Sequence, residues 1–308
     1  MIHRESAEEY HARQAVSASF CWELLQECPA QAWFNSCFNP QRPPEATNGD
    51  LDFGKIVHMA ALEERELGER VAIIDHGSFR TKVARELRDE VRASGKVPIL
   101  FASARERKST AYGYEDVRAA RKALEESAAA EMLFGPGESE VSYTWDFHYY
   151  QTTEPARYEA RTASCKARAD RIVPGKIVDL KTAASASPDA FGRAMARDGH
   201  HLRAAWYLDG WLRGRHPDYQ KFEGSKIEYL FVVVGKPEPH LVQTYRLDDR
   251  ALEWGRRLYR KALSEIRRSR ETGVWSGYDG QDRNSIITAS LPAFAERQLA
   301  EMEMEDLL

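Results

Sequence analysis

The stretch from Cys165 to Lys181, CKARADRIVPGKIVDLK, constrains this chain most. Runs rich in β-formers flank a Pro-Gly dipeptide, so they read as two strands, Cys165 to Val173 and Ile177 to Thr182. If Pro174-Gly175 is a two-residue turn, Val173 faces Lys176, Ile172 faces Ile177, Arg171 faces Val178 and Asp170 faces Asp179. The two carboxylates then stand opposite each other, with Cβ atoms about 5 Å apart. Side chains alternate along a strand, so Lys181 shares a face with Asp179. A four-residue loop keeps this register, and a three-residue loop shifts it by one. Pro-Gly suits a type II turn, which is not the favoured hairpin geometry.

Opposed carboxylates repel, and on a half-buried face that costs stability unless a cation joins them. Mg²⁺ takes a few carboxylate oxygens together with waters and phosphate oxygens. It acidifies a bound water and stabilises charge on an attacked phosphate. A lysine beside it can orient or deprotonate that water, or stabilise developing charge. Asp-x-Lys alone is common, and a surface hairpin with scattered charges is the bland alternative. The paired upstream aspartate is what sets this hairpin apart.

Around the hairpin the pattern is helical first and stranded later. Ser17 or Ser19 is placed to cap a helix through Leu24 and Leu25, with Pro29 ending it. Asn39 to Asp50 is rich in Pro, Asn and Gly and reads as a loop. Helices are expected over about 53–66, 82–92 and 116–132, and a strand over 140–147. A helix through His201 to Trp211, strands over 226–234 and 241–247, and a long basic helix over 249–271 follow. The expected fold class is α/β, a central mixed β-sheet flanked by helices, with an N-terminal helical region. One domain over 1–308 is expected: a helical N-terminal region over 1–135, a sheet core about 136–248, and a C-terminal helix and tail 249–308.

Charge is uneven. The net value is -4, yet Arg161 to Lys181 is mostly basic and Glu296 to Asp306 acidic, so a negative total can hide a basic groove. Cys21, Cys28, Cys37 and Cys165 form no C-x-x-C pair and read as ordinary thiols. No run approaches the roughly 20 apolar residues of a membrane span, and the first residues do not form a secretory signal. A cytoplasmic protein is therefore expected. The Gly-Lys pairs beginning at 54, 95, 175 and 235 are not followed by Ser or Thr, so there is no Walker motif and no nucleotide cofactor is expected.

Asp170 followed by Asp179-Leu180-Lys181 resembles the PD-(D/E)XK nuclease core, with Ala169 where a proline is usual. More specifically, the chain resembles the RecB-like exonucleases, and most nearly the RecE type (exodeoxyribonuclease VIII C-terminal domain) of phages and prophages. Four marks carry this: the G-x-x-x-H of Gly54 to His58, the acidic strand start at Glu140, the K-x-R-x-D-R run from Lys166 to Arg171, and Val178-Asp179-Leu180-Lys181-Thr182. The family's Q-x-x-x-Y helix corresponds to Arg203 and Tyr207, with arginine replacing glutamine. Arg and Tyr four residues apart still share a helix face, and arginine can grip a phosphate bidentately.

The resemblance implies a restriction-endonuclease-like core in which His58, Asp170, Asp179 and the Leu180 carbonyl hold Mg²⁺, with Mn²⁺ a substitute and one or two ions left open. Glu140 would support the metal or its waters, and Lys181 would activate the nucleophile in an in-line hydrolysis of a phosphodiester. Arg203, Tyr207, Arg168 and Arg171 would contact DNA. It further implies 5′-to-3′ resection of linear double-stranded DNA, a ring-shaped homo-oligomer, and a single-strand annealing protein as partner in a phage or prophage system of a bacterial cell. Two alternatives stand beside it. One is a related nuclease of other polarity or substrate, such as the CRISPR-adaptation nucleases, whose cysteine cluster these cysteines do not match. The other is a non-catalytic DNA-binding protein retaining the fold.

Overall fold

The computed structural model describes residues 1–43, 49–109, 111–149, 162–214, 227–278 and 286–304. Arg161, Lys226 and Asp306, which bound segments discussed above, lie outside the described residues. The first half carries β1 (Ile2–His3), α1 (Ala7–Ala12), α2 (Ala18–Gln26), α3 (Pro29–Phe34), α4 (Gly49–Leu62) and α5 (Glu64–Arg70). Next come β2 (Val71–Ile74), α6 (Lys82–Ala93), β3 (Val97–Leu100), α7 (Tyr114–Glu125) and α8 (Ala130–Phe134). The second half carries β4 (Glu138–His148), β5 (Thr162–Val173), β6 (Lys176–Ala183), α9 (Pro188–Arg197), α10 (His200–Arg213), β7 (Glu228–Gly235), β8 (Val242–Arg246), α11 (Asp249–Thr272) and α12 (Ala293–Met304).

Local chemistry explains many of the boundaries. Ser17 caps α2 by accepting from the Phe20 amide at 3.3 Å. Pro29 opens α3, where its missing N–H costs nothing. Asp248 caps α11, and Gly273 ends it in the left-handed region at φ 70°. Val71 to Ile74 is a strand that pairs in parallel with β3 across α6. So the N-terminal region is not purely helical: it holds this two-stranded unit, and β1 pairs antiparallel with β4.

The main sheet has the order β1-β4-β5-β6-β7-β8. Its neighbours are antiparallel except β6 and β7, which run parallel and are joined by a crossover through α9 and α10. Alternation along the strands feeds two cores. Ile177, Phe231 and Val233 face a cluster with Trp206, Leu202 and Tyr259 from α10 and α11. Val178, Leu180, Val232 and Val234 face a cluster with Ile56, Val57 and Leu124 from α4 and α7. This is a mixed sheet between helical layers, the expected fold class. Gly255 sets the contact of α11 on α10: a methyl group there would lie 2.1 Å from the His201 carbonyl oxygen.

The hairpin register is as the sequence predicts over Val173–Lys176, Ile172–Ile177 and Arg171–Val178. Gly175 has φ 74°, and proline holds φ negative, which is the type II combination. The ladder stops there: the expected Asp170–Asp179 backbone pair is not formed. The reason lies next door. On β4, Ser139 pairs with Arg171 and Val141 with Ala169, so Glu140 faces Asp170 unpaired and takes φ 55°. Alternation on β5 inverts at this point, because Ala169 faces the α10 side and Val173 the α4 side. Strict two-residue periodicity, on which the facing carboxylates were expected, does not hold through Asp170.

Candidate active site

Three strands and one helix converge at this irregularity. Gly54 lets α4 lie against β6, since a methyl there would sit 2.9 Å from Thr182 Oγ1. His58, one turn on, shares that face. Its Nε2 is 3.2 Å from Asp170 Oδ2, and its Nδ1 is 3.6 Å from Glu140 Oε1. Among the described residues, donor atoms of His58, Glu140 and Asp170 lie within 4.8 Å of one another. Glu140 is held by Arg168, whose Nε donates to Oε2 at 2.5 Å. Its other oxygen, Oε1, is buried with no hydrogen-bond partner. A left-handed glutamate with an orphaned carboxylate oxygen carries two local costs. Two carboxylates and an imidazole around that oxygen fit a divalent cation, which would offset the second.

Asp170 and Asp179 still meet, by side chain. Asp170 Oδ2 accepts from the Leu180 amide at 2.9 Å. Asp179 is buried behind it, where Tyr229 donates to its Oδ2 at 2.7 Å and Lys181 Nζ contacts its Oδ1. Lys181 Nζ also lies 3.5 Å from the Leu180 carbonyl. Burial raises both aspartates, but His58 and Lys181 together with a hydrogen bond from Asp179 drive Asp170 well below the usual range. Asp179 is pushed up by burial, with Lys181 opposing and the Asp170 charge adding to the rise. Burial also raises Glu140. His58 is pulled down by burial, yet Asp170 and Glu140 more than offset this and raise it to about 9.

Arg203 on α10 lines the same cleft as Lys55, His58, Glu140 and Lys181. Burial disfavours its charge, but the neighbouring Asp179 more than offsets this and raises it. Tyr207 packs edge-on against Tyr229 at 5.7 Å and Tyr143 at 6.3 Å, so it builds the wall beneath Arg203. The structure does not bring Arg171 to the cleft floor. It is buried, donating to the Met132 carbonyl at 3.2 Å, to Ser139 Oγ at 2.8 Å and to the Gly135 carbonyl. Arg168 acts on Glu140 and reaches the Glu5 carbonyl at 2.8 Å. Lys166 donates to the Tyr10 and Arg13 carbonyls, both at 2.8 Å. Of the K-x-R-x-D-R run, Asp170 enters the donor cluster while these three basic side chains fasten it. On α11, Arg256, Arg257 and Arg268 are ion-paired with Asp209, Glu253 and Glu265.

Tyr229 is the member that sequence reasoning missed. The signal for it was a tyrosine inside an apolar strand, which needs a hydroxyl partner when buried.

Residues 17–283 match the family of PDDEXK-like domains of unknown function, DUF3799, and the chain belongs to that family. No curated protein matches it. The crystal structure of a candidate exonuclease from Eubacterium rectale superposes with a TM-score of 0.57 at 14% identity, over 96% of this chain and 98% of that one. The structure of SSO0001 superposes at 0.27 and 14% identity, over 68% of this chain and 85% of that one, too low to bear on the fold. The fold is therefore restriction-endonuclease-like, and the chain falls in a superfamily of nucleases that typically use divalent metals. No helix among the described residues is long and apolar enough to cross a membrane.

Proposed function

We propose that this chain is a divalent-metal-dependent, ATP-independent DNA exonuclease that hydrolyses phosphodiesters from the ends of linear duplexes. The observation that carries the reading is the convergence of His58, Glu140 and Asp170 around the orphaned Glu140 oxygen, with Lys181 beside them. Mg²⁺ or Mn²⁺, when bound, acidifies water and neutralises charge on the phosphate. His58, Glu140 and Asp170 would hold the ion, with Asp179 and the Leu180 carbonyl completing the donor set. Lys181, steadied by Asp179, orients the attacking water and stabilises the negative charge that develops on the phosphate. Arg203 binds a phosphate of the substrate strand and Tyr207 supports it. Arg168 keeps Glu140 in place.

The RecE-type resemblance supports 5′-to-3′ resection by a ring-shaped homo-oligomer working with a single-strand annealing protein in a phage or prophage setting in the bacterial cytoplasm. The test is digestion of end-labelled linear duplex with Mg²⁺, with EDTA, and by Lys181→Ala. Cleavage by the wild type with Mg²⁺ alone is expected; equal product in all three arms overturns the nuclease reading. Label release from the 5′ end first sets the polarity, and degradation of closed circles counts against an exonuclease.

A further inference from the structure

The far end of β4 meets α10 and α11 in a second depression, lined by Phe147, His148, Tyr149, Arg213, Arg260 and Arg267 among others. Each arginine there is laid on an aromatic ring. Arg213 lies 5.2 Å from the Phe147 centroid, Arg267 5.4 Å from Tyr149 and Arg260 5.9 Å from Tyr259. The rings are fixed in turn. Tyr149 donates to the Leu263 carbonyl at 3.0 Å, Tyr259 donates to Asp209 at 2.5 Å, and Phe147 packs edge-on against both. Stacking sets the plane of a guanidinium and leaves its N–H edge for an oxyanion.

Among the described residues, no carboxylate lines the depression. Asp209 is engaged by Arg256 at 3.2 Å and by Tyr259. Glu271 lies 3.8 Å from Arg267 Nε, yet that Nε is buried with no hydrogen-bond partner. Arg257 and Arg268, elsewhere on the same helix, pair with acids three or four residues away. Arg257 is also laid on a ring, Trp254 at 5.1 Å, and Arg267 has its own ion pair with Glu271, so what distinguishes the depression from an ordinary basic face is Arg213 and Arg260, which have no acid partner among the described residues. The depression gathers like charges on ordered rings, and an anion lowers that repulsion.

We propose that this depression is a second nucleic-acid contact, taking the phosphodiester backbone of a strand outside the catalytic cleft. Helix α10 carries Arg203 at the cleft and Arg213 at the depression. Those positions are separated by about 15 Å along the helix, the rise of about four to five nucleotides of a B-form strand. A strand that followed α10 from a phosphate at Arg203 would cover that rise in about four to five nucleotides. The nucleic-acid identity of the ligand rests on the nuclease reading above.

The test measures binding of a labelled duplex and of a labelled single strand to the full chain in EDTA, across a salt series. Arg213 and Arg260 are both exposed, so Arg213→Ala/Arg260→Ala is expected to fold normally. Affinity of the double variant should fall about tenfold, and the slope of log K against log salt should become shallower by about 2. Unchanged affinity and slope overturn the proposal, as does an equal loss in an Arg257→Ala/Arg268→Ala control. If the double variant loses binding of inorganic phosphate but not of DNA, the ligand is a free anion and the nucleic-acid assignment falls. Hydrolysis is scored separately with Mg²⁺, so an inactive wild type that still shows the binding difference sinks the nuclease reading alone.

Discussion

Tyr229 donates its hydroxyl to Asp179 from the strand running parallel to it, at 2.7 Å and with both residues buried. Tyr229→Phe leaves that carboxylate oxygen without its donor, a cost of about 1–3 kcal/mol. It also removes a bond to the charged form, so Asp179, already pushed up by burial, rises further. The acid limb of the activity–pH profile should move to higher pH. A profile and a denaturation midpoint identical to wild type would contradict this.

His58 titrates at about 9 against an ordinary value of 6.5. Its protonated form stabilises the metal-free fold fully below about 6.5, and this contribution is lost as pH rises through about 9. Thermal denaturation in EDTA should therefore show wild type losing stability across that window, and His58→Gln losing less. A cation must displace the same proton, so metal binding near neutral pH should release a proton and tighten with pH. Calorimetry in buffers of different ionisation enthalpy measures the release.

Arg171 ties β5 to the carbonyls of Met132 and Gly135. Arg171→Ala should destabilise the fold by about 3 kcal/mol. The salt dependence of DNA binding should stay unchanged. Denaturant unfolding and a salt titration check the two halves; a shallower salt slope at wild-type stability would return Arg171 to the DNA.

Arg203→Gln should keep hydrolytic activity and make the salt slope of DNA binding shallower by about 1. Loss of all activity would instead assign Arg203 to the electrostatics of Asp179.

Gly54→Ala should cost more activity than stability, because alanine favours the helix while its methyl meets Thr182 Oγ1 at 2.9 Å. Adding Thr182→Ala should restore activity. A double-mutant cycle reads the coupling.

Much of this was legible in the sequence. The hairpin, expected as strands Cys165 to Val173 and Ile177 to Thr182, showed itself through β-formers around Pro-Gly and runs from Thr162 to Ala183; α11, expected as a long basic helix over 249–271, spans Asp249–Thr272. Strand β1, two residues long, and β3, four residues long, leave no periodicity to detect. Helix α9 begins among Ser and Ala residues that carry little apolar signal. The site was legible as a set of residues but not as a geometry. Facing of Asp170 and Asp179 was deduced from alternation, and alternation inverts where Glu140 takes its left-handed turn. The partners of Arg171 lie 39 and 36 residues upstream, at Met132 and Gly135, beyond any local pattern.

The parallel crossover has a consequence for synthesis. Asp170, Asp179 and Lys181 leave the ribosome on one hairpin, but Tyr229, which holds Asp179, follows 50 residues later. Long-range parallel pairing forms late. The candidate centre is thus completed only after β7 docks, so on the proposed nuclease reading a nascent or truncated chain holding the whole hairpin would fall short of a working centre and pose little danger to the DNA of the cell that makes it.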